Sequence, residues 1–199
     1  MRGGPDRPFA AVRAFVCRGP GLVRLWAGAR IPVPARWSVE FGAVKIIPVA
    51  YDHPDAVALA EQVQEEYRRR FGYDDATPLH PSYFEPPSGL YLLAYDMDTA
   101  VASGGWRAQD SREEGYAPGD AEVKRMFVAP EARGRGLARR ILAALEESAR
   151  SAGRIRMVLE TGHLLGEATS LYRSSGYGPT AGFGRYRGNA DSTFFEKPL

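Results

Sequence analysis

The order of short apolar runs and amphipathic stretches, β–α–loop–β–β–β–α–β–α–β over 199 residues, predicts a mixed α/β fold. Two observations carry it. The runs at 89–95 and 100–106 flank Asp96-Met97-Asp98-Thr99, a hairpin pattern, so the sheet starts antiparallel. A helical stretch at about 136–152 then lies between strand-like runs at 121–128 and 155–160, which gives a crossover helix in the second half.

The elements follow in order. Residues 1–42 are rich in Arg, Gly, Pro and Ala and have no sustained period. Pro5, Pro8, Pro20, Pro32 and Pro34 would interrupt any long helix. Arg13, Arg18 and Arg24 break the apolar centre a secretory signal needs, and Ser38 as the single serine argues against a transit peptide. This segment reads as a poorly ordered extension or a misassigned start, with the folded domain at 43–199. Val44 to Ala50 is a short strand whose Pro48 suggests an edge or an end. Pro54 suits a first helical position, and Ala56, Ala60, Val63, Tyr67 and Phe71 follow at helical spacing until Gly72. The stretch 72–88 is loop-like around Tyr83-Phe84. The helix at 136–152 carries Leu137, Ile141, Leu145 and Ala149 on one stripe, with Glu146 and Arg150 expected as an exposed i,i+4 pair. A last helix at about 164–175, with Leu164, Ala168 and Leu171 inward, stops at Gly176, and a final strand covers 193–196. No internal repeat or second domain is visible.

Composition narrows the function. Apolar residues at 44% and charged residues at 25% are those of a globular chain, and no apolar run approaches the ~20 residues that span a bilayer. Cys17 is the sole cysteine, so no internal disulfide forms, which suits the cytoplasm. His53, His80 and His163 lack metal-ligand spacing, so no metal is expected. Seven arginines against one acid in 1–36 leave the rest of the chain at a net charge of −4. An acidic body argues against a general nucleic-acid role.

The chemistry concentrates at one strand, turn and helix. Glu122-Val123-Lys124-Arg125-Met126-Phe127-Val128 puts three charged residues in a central strand, where unpaired charges are costly. They either pair across strands or serve a cleft. Gly134 and Gly136 then alternate with Arg133 and Arg135 at a helix start, where unpaired N–H groups and the positive dipole end favour an anion. Arg133, Arg135, Arg139 and Arg140 crowd that end against the usual preference for acids. A bound polyanion would offset them, and a solvated basic face is the alternative. No P-loop lysine follows, and Arg139 stands where a dinucleotide fingerprint needs its third glycine.

The segment Arg133-Gly134-Arg135-Gly136-Leu137-Ala138 resembles the acetyl-CoA signature of the GNAT superfamily of N-acetyltransferases, Gln/Arg-x-x-Gly-x-Gly/Ala. The strand 121–128 before it, Leu159-Glu160-Thr161-Gly162, Glu167-Ala168 with Leu171-Tyr172, and Gly176-Tyr177 resemble the family's neighbouring motifs. Phe194-Phe195-Glu196-Lys197 fits the last strand of its small-molecule-type branch. The resemblance covers about 43–199. It implies a mostly antiparallel central sheet with two parallel strands splayed apart and flanking helices.

It also implies roles. Met126, Phe127 and Val128 would meet the pantetheine arm, and Arg133 to Ala138 would hold the pyrophosphate. Tyr172 would be the general acid toward the departing thiolate. Glu122, a carboxylate raised by partial burial, is the candidate base, with Glu160 as the alternative. Tyr83, Phe84, Trp106, Tyr177 and Tyr186 are candidate walls for the acceptor. Leu164-Leu165-Gly166-Glu167 replaces the asparagine or glutamine many relatives carry there. The resulting reading is a cytoplasmic acetyltransferase using acetyl-CoA as cosubstrate and a small-molecule amine as acceptor. It needs no metal, nucleic acid or membrane, and a homodimer is left open. A non-catalytic acyl-CoA-binding module is the rival.

Overall fold

The computed structural model describes residues 39–41, 43–112 and 114–199. One eight-stranded sheet organises them, in the order β1-β2-β3-β4-β5-β6-β8-β7. The strands are β1 Val39–Phe41, β2 Val44–Pro48, β3 Gly89–Asp96, β4 Thr99–Gln109, β5 Asp120–Val128, β6 Arg156–Gly162, β7 Gly178–Pro179 and β8 Ser192–Pro198. Every neighbouring pair is antiparallel except β5 and β6. The helices are α1 Pro54–Phe71, α2 Leu137–Ser151 and α3 Gly166–Ser174. Among the described residues the first strand starts at Val39, inside the segment expected to be an extension, and 39–41 pair with 44–46. The expectation for residues 1–38 lies outside the described residues.

Alternation along β3 separates the two faces. Leu90, Leu92 and Ala94 point into a core with Leu137, Ile141, Leu142 and Leu145 of α2, while Tyr91 and Leu93 pack with Ala56, Leu59 and Val63 of α1. Local signals set the helix ends. The His53 ring nitrogen accepts from the Asp55 N–H at 3.2 Å and Pro54 opens α1, while Gly72 closes it at φ 80°. The stripe of α2 is buried as expected, but its charges pair otherwise. Arg150 bonds Glu147 at 2.6 Å, and Glu146 turns to Lys197 of β8 at 2.6 Å. Leu164, expected inward, precedes α3 and is half exposed.

Two irregularities open the sheet where the site forms. The parallel pairing of β5 with β6 covers only Asp120↔Arg156, Ala121↔Met157 and Glu122↔Val158, after which the strands part. On the other edge of β5 the register with β4 shifts between Ser103 and Gly105, so Arg125 and Met126 together face Gly104. Arg125 takes φ 56° there, a left-handed conformation rare for a long side chain, and its carbonyl accepts the Ser103 hydroxyl at 3.1 Å. A Cβ on Gly104 would strike the Met126 sulfur and come within 2.9 Å of Ile141. Gly104→Ala is therefore expected to cost about 1–3 kcal/mol in denaturant unfolding, the range for overpacking.

Candidate active site

The parted strands leave a cleft of about 380 Å³ between β5 and α3. Met126, Phe127 and Val128 form one wall, Leu165, Ala168, Leu171 and Tyr172 the other, and Arg133, Gly134, Gly136, Leu137 and Ala138 the end. Of the predicted cofactor residues only Arg135 stands outside it; it pairs with Asp96 at 2.5 Å. The Ala129 N–H donates to Val101 at 2.8 Å, so strand alternation turns the polar backbone groups of Val128 away from β4 and toward the gap.

The turn suits an anion by its backbone. Gly134 and Gly136 have φ 77° and 74°, and a Cβ on either would meet nothing, so it is conformation and not crowding that calls for glycine. The start of α2 has no side-chain cap, so its first N–H groups stay open to a ligand. The arginines, however, are answered within the chain. Arg133 donates to the Val128 carbonyl at 3.0 Å and to Glu66 at 2.7 Å, and Arg139 donates to the Ser174 hydroxyl at 2.8 Å and its carbonyl at 3.2 Å. Neither a polyanion alone nor a solvated face accounts for the basic turn, since Glu66, Asp96 and the end of α3 share it. Glu66 and Glu167 also flank the Arg70 guanidinium at 2.7 and 2.6 Å, which ties α1 to α3 beside the cleft.

A second, smaller cavity of about 50 Å³ adjoins on the α1 side. Tyr67 and Phe71 of α1, Tyr73, Asp75, the end of β6 from Glu160 to Gly162, and Tyr186, Asn189, Asp191 and Ser192 line it. The Phe71 ring occupies the space a Cβ on Gly162 would take. Of the aromatics expected to wall an acceptor, Tyr186 alone lies here. Phe84, Trp106 and Tyr177 are core residues, and Tyr83 sits under the Arg107 guanidinium.

The two candidate bases differ in the opposite sense to the one expected. Glu122 is 2% exposed, and both its oxygens are occupied: Arg107 and Gln109 donate to Oε2 at 2.8 and 3.0 Å, and Lys124 lies 2.8 Å from Oε1. Burial pushes its carboxyl up, but Lys124 and Arg107 outweigh that and hold it below the usual carboxylate range. The expectation of a raised Glu122 is thus corrected: the strand's own charges pair. Glu160 is the raised carboxyl, pushed up first by burial and then by Asp75 and Glu122, against the Ser192 hydroxyl and Lys124. Ser192 donates to its Oε1 at 2.7 Å, and Oε2 has no hydrogen-bond partner among the described residues.

Tyr172 is 5% exposed, and its hydroxyl likewise has no hydrogen-bond partner among the described residues. Burial and the Glu160 charge push its pKa up, so the phenol stays protonated. Sequence reasoning missed Asp75. It accepts from Thr77 N–H at 2.9 Å, the Thr77 hydroxyl at 2.7 Å and the Tyr186 hydroxyl at 2.8 Å, and it pairs with Arg125 at 2.5 Å. Asp75 thereby staples the loop after α1 to the β5 bulge. A lone aspartate in a proline-rich loop carries no signal of that role.

This splayed sheet with a glycine turn at its helix start belongs to an acyltransferase architecture. Residues 56–177 match the model of the Acetyltransferase (GNAT) family, and the chain belongs to that family. It is 42% identical over 113 residues to an IAA acetyltransferase of Azospirillum brasilense, covering 57% of this chain and 70% of that protein. It is 30% identical over 132 residues to the uncharacterized N-acetyltransferase YjgM of Escherichia coli, covering 63% and 76%. A solved structure described as an acyl-CoA N-acyltransferase from Klebsiella pneumoniae superposes with a TM-score of 0.63 at 29% identity, covering 78% of this chain and 97% of that one. No metal-holding group of His, Cys, Asp and Glu occurs among the described residues, and no described helix is long and apolar enough to cross a membrane.

Proposed function

We propose that the chain transfers the acetyl group of acetyl-CoA to a small primary amine by direct attack in a ternary complex. The observation that carries this reading is the meeting of two cavities at the parted strands, with a raised carboxyl, Glu160, in the small one and a partnerless phenol, Tyr172, in the large one. Acetyl-CoA supplies the thioester. The open N–H groups from Gly134 to Ala138 suit its pyrophosphate and the Val128 backbone suits its amide-bearing arm. Glu160 removes a proton from the amine as the C–N bond forms, and Tyr172 donates to the sulfur as the C–S bond breaks. The amine's lost proton balances the one the thiol gains. Glu122, locked by three donors, holds β5 in shape. The name of the Azospirillum relative supports a small acceptor.

The test is thiol release from acetyl-CoA across amines, polyamines, aminoglycosides, amino acids and peptides. At least one small amine is expected to raise it well above the amine-free rate. Tyr172→Phe is expected to lower kcat for that amine about 10²-fold or more with unchanged acetyl-CoA affinity. Tight acetyl-CoA binding with no turnover on any amine would leave a non-catalytic binding module.

A further inference from the structure

One titratable side chain outside that mechanism stands where the two cavities meet. Tyr67, which the spacing of α1 assigns to an apolar stripe, is the single residue among those described that lines both cavities. The ring reaches the gap from the α1 face, whereas Tyr172 packs in the core on the α2 side. The Tyr67 ring is held edge-on by Phe71, with centroids 6.1 Å apart. Its hydroxyl has no hydrogen-bond partner among the described residues, although Asp75, Arg125, Tyr172 and Glu160 are all close enough to act on it electrostatically. A side chain on the lining of both cavities whose hydroxyl has no protein partner is placed to take one from a bound ligand.

We propose that Tyr67 is a catalytic residue of the acyl transfer, donating a hydrogen bond to the thioester carbonyl oxygen where negative charge builds as the amine attacks. The inference rests on the acetyltransferase reading above. Position selects this role. The reacting carbon must lie where the two cavities join, and Tyr67 lines that junction. Glu160 is committed to the amine's proton and Tyr172 to the sulfur. Burial, with the nearby Asp75 charge, pushes the Tyr67 pKa up, so it stays a neutral donor at any working pH. A preorganised donor in a dry site gains strength as charge develops on the oxygen, and losing one such donor costs about 10²–10³-fold in rate.

Tyr67→Phe tests this with the ring retained. The kcat is expected to fall about 10²-fold or more, with acetyl-CoA affinity by calorimetry and the thermal midpoint little changed. The carbonyl stretch of bound ¹³C-acetyl-CoA supplies a readout independent of turnover. In the wild type it is expected at lower frequency than in water-free reference solvent, and in Tyr67→Phe it is expected to shift back up. A kcat within threefold of wild type, or an unshifted stretch, overturns the assignment. So does a kcat loss matched by equal loss of acetyl-CoA affinity, which marks a packing role. A wild-type protein that acetylates no amine defeats the underlying reading instead, and the two failures are thereby separate.

Discussion

Glu160→Gln is expected to lower amine-dependent kcat about 10²–10⁴-fold while leaving the fold as stable as, or more stable than, the wild type at neutral pH. The sign follows from the direction of the pKa. A carboxyl raised by burial favours the fold while it is protonated, and that contribution is lost as pH rises through its folded value. Above that pH the wild type holds a buried charge that glutamine lacks. Glu122→Gln is expected to behave in reverse. Its carboxyl is held low, so its contribution is present above the unfolded value and is lost as pH falls through the folded one. Removing that charge leaves Lys124 and Arg107 buried without their counterion, a loss of roughly 3–5 kcal/mol. Denaturant unfolding and the pH profile of kcat separate the two. The ascending limb of wild-type kcat should lie above the usual carboxylate range and vanish in Glu160→Gln. A limb that survives in Glu160→Gln would return the base to Glu122 or to a water.

The difference between these carboxylates shows which parts of the site the sequence could carry. The hairpin, the stripe of α2 and the glycine turn are written in local residue types, and each lies within a few positions of its expected place. The anomaly of charge in β5 was also legible, but its resolution was not. Glu122 finds Arg107 and Gln109 on β4, fifteen and thirteen residues away, and Arg125 finds Asp75 across fifty. Pairing over such spans follows from strand register, which a one-residue shift at Gly104 decides. The left-handed arginine at that shift has no sequence signature at all. Tyr67 was hidden for another reason. At helical spacing a tyrosine beside Val63 reads as core, and only the parting of β5 and β6 turns that core position into the wall of two cavities.

The largest expected effect on cofactor binding is at the turn. Gly136→Val places a β-branched residue at φ 74°, a conformation such residues rarely adopt, although its Cβ would meet nothing within 4 Å. The backbone must then leave that conformation, and the N–H groups at the start of α2 turn with it. Acetyl-CoA affinity is expected to fall about 10–100-fold, which is roughly 1.4–2.8 kcal/mol of binding. Gly153 supplies the control. It lies just beyond the other end of the same helix at φ 78°, also with open space around its Cβ. Gly153→Val imposes the same backbone strain away from the cleft, so it is expected to lower the thermal midpoint without moving acetyl-CoA affinity. Calorimetric titration of both variants isolates the turn's geometry from general destabilisation. Equal loss of affinity in both would mean that α2 as a whole, and not the N–H groups from Gly134 to Ala138, governs binding. An unchanged affinity in Gly136→Val would place the pyrophosphate elsewhere. The arginines give the complementary expectation. Because Arg133, Arg135 and Arg139 already have partners on Glu66, Asp96 and Ser174, replacing any one of them is expected to lower acetyl-CoA affinity less than Gly136→Val does, since the proposed pyrophosphate site rests first on backbone dipoles that glycine shapes.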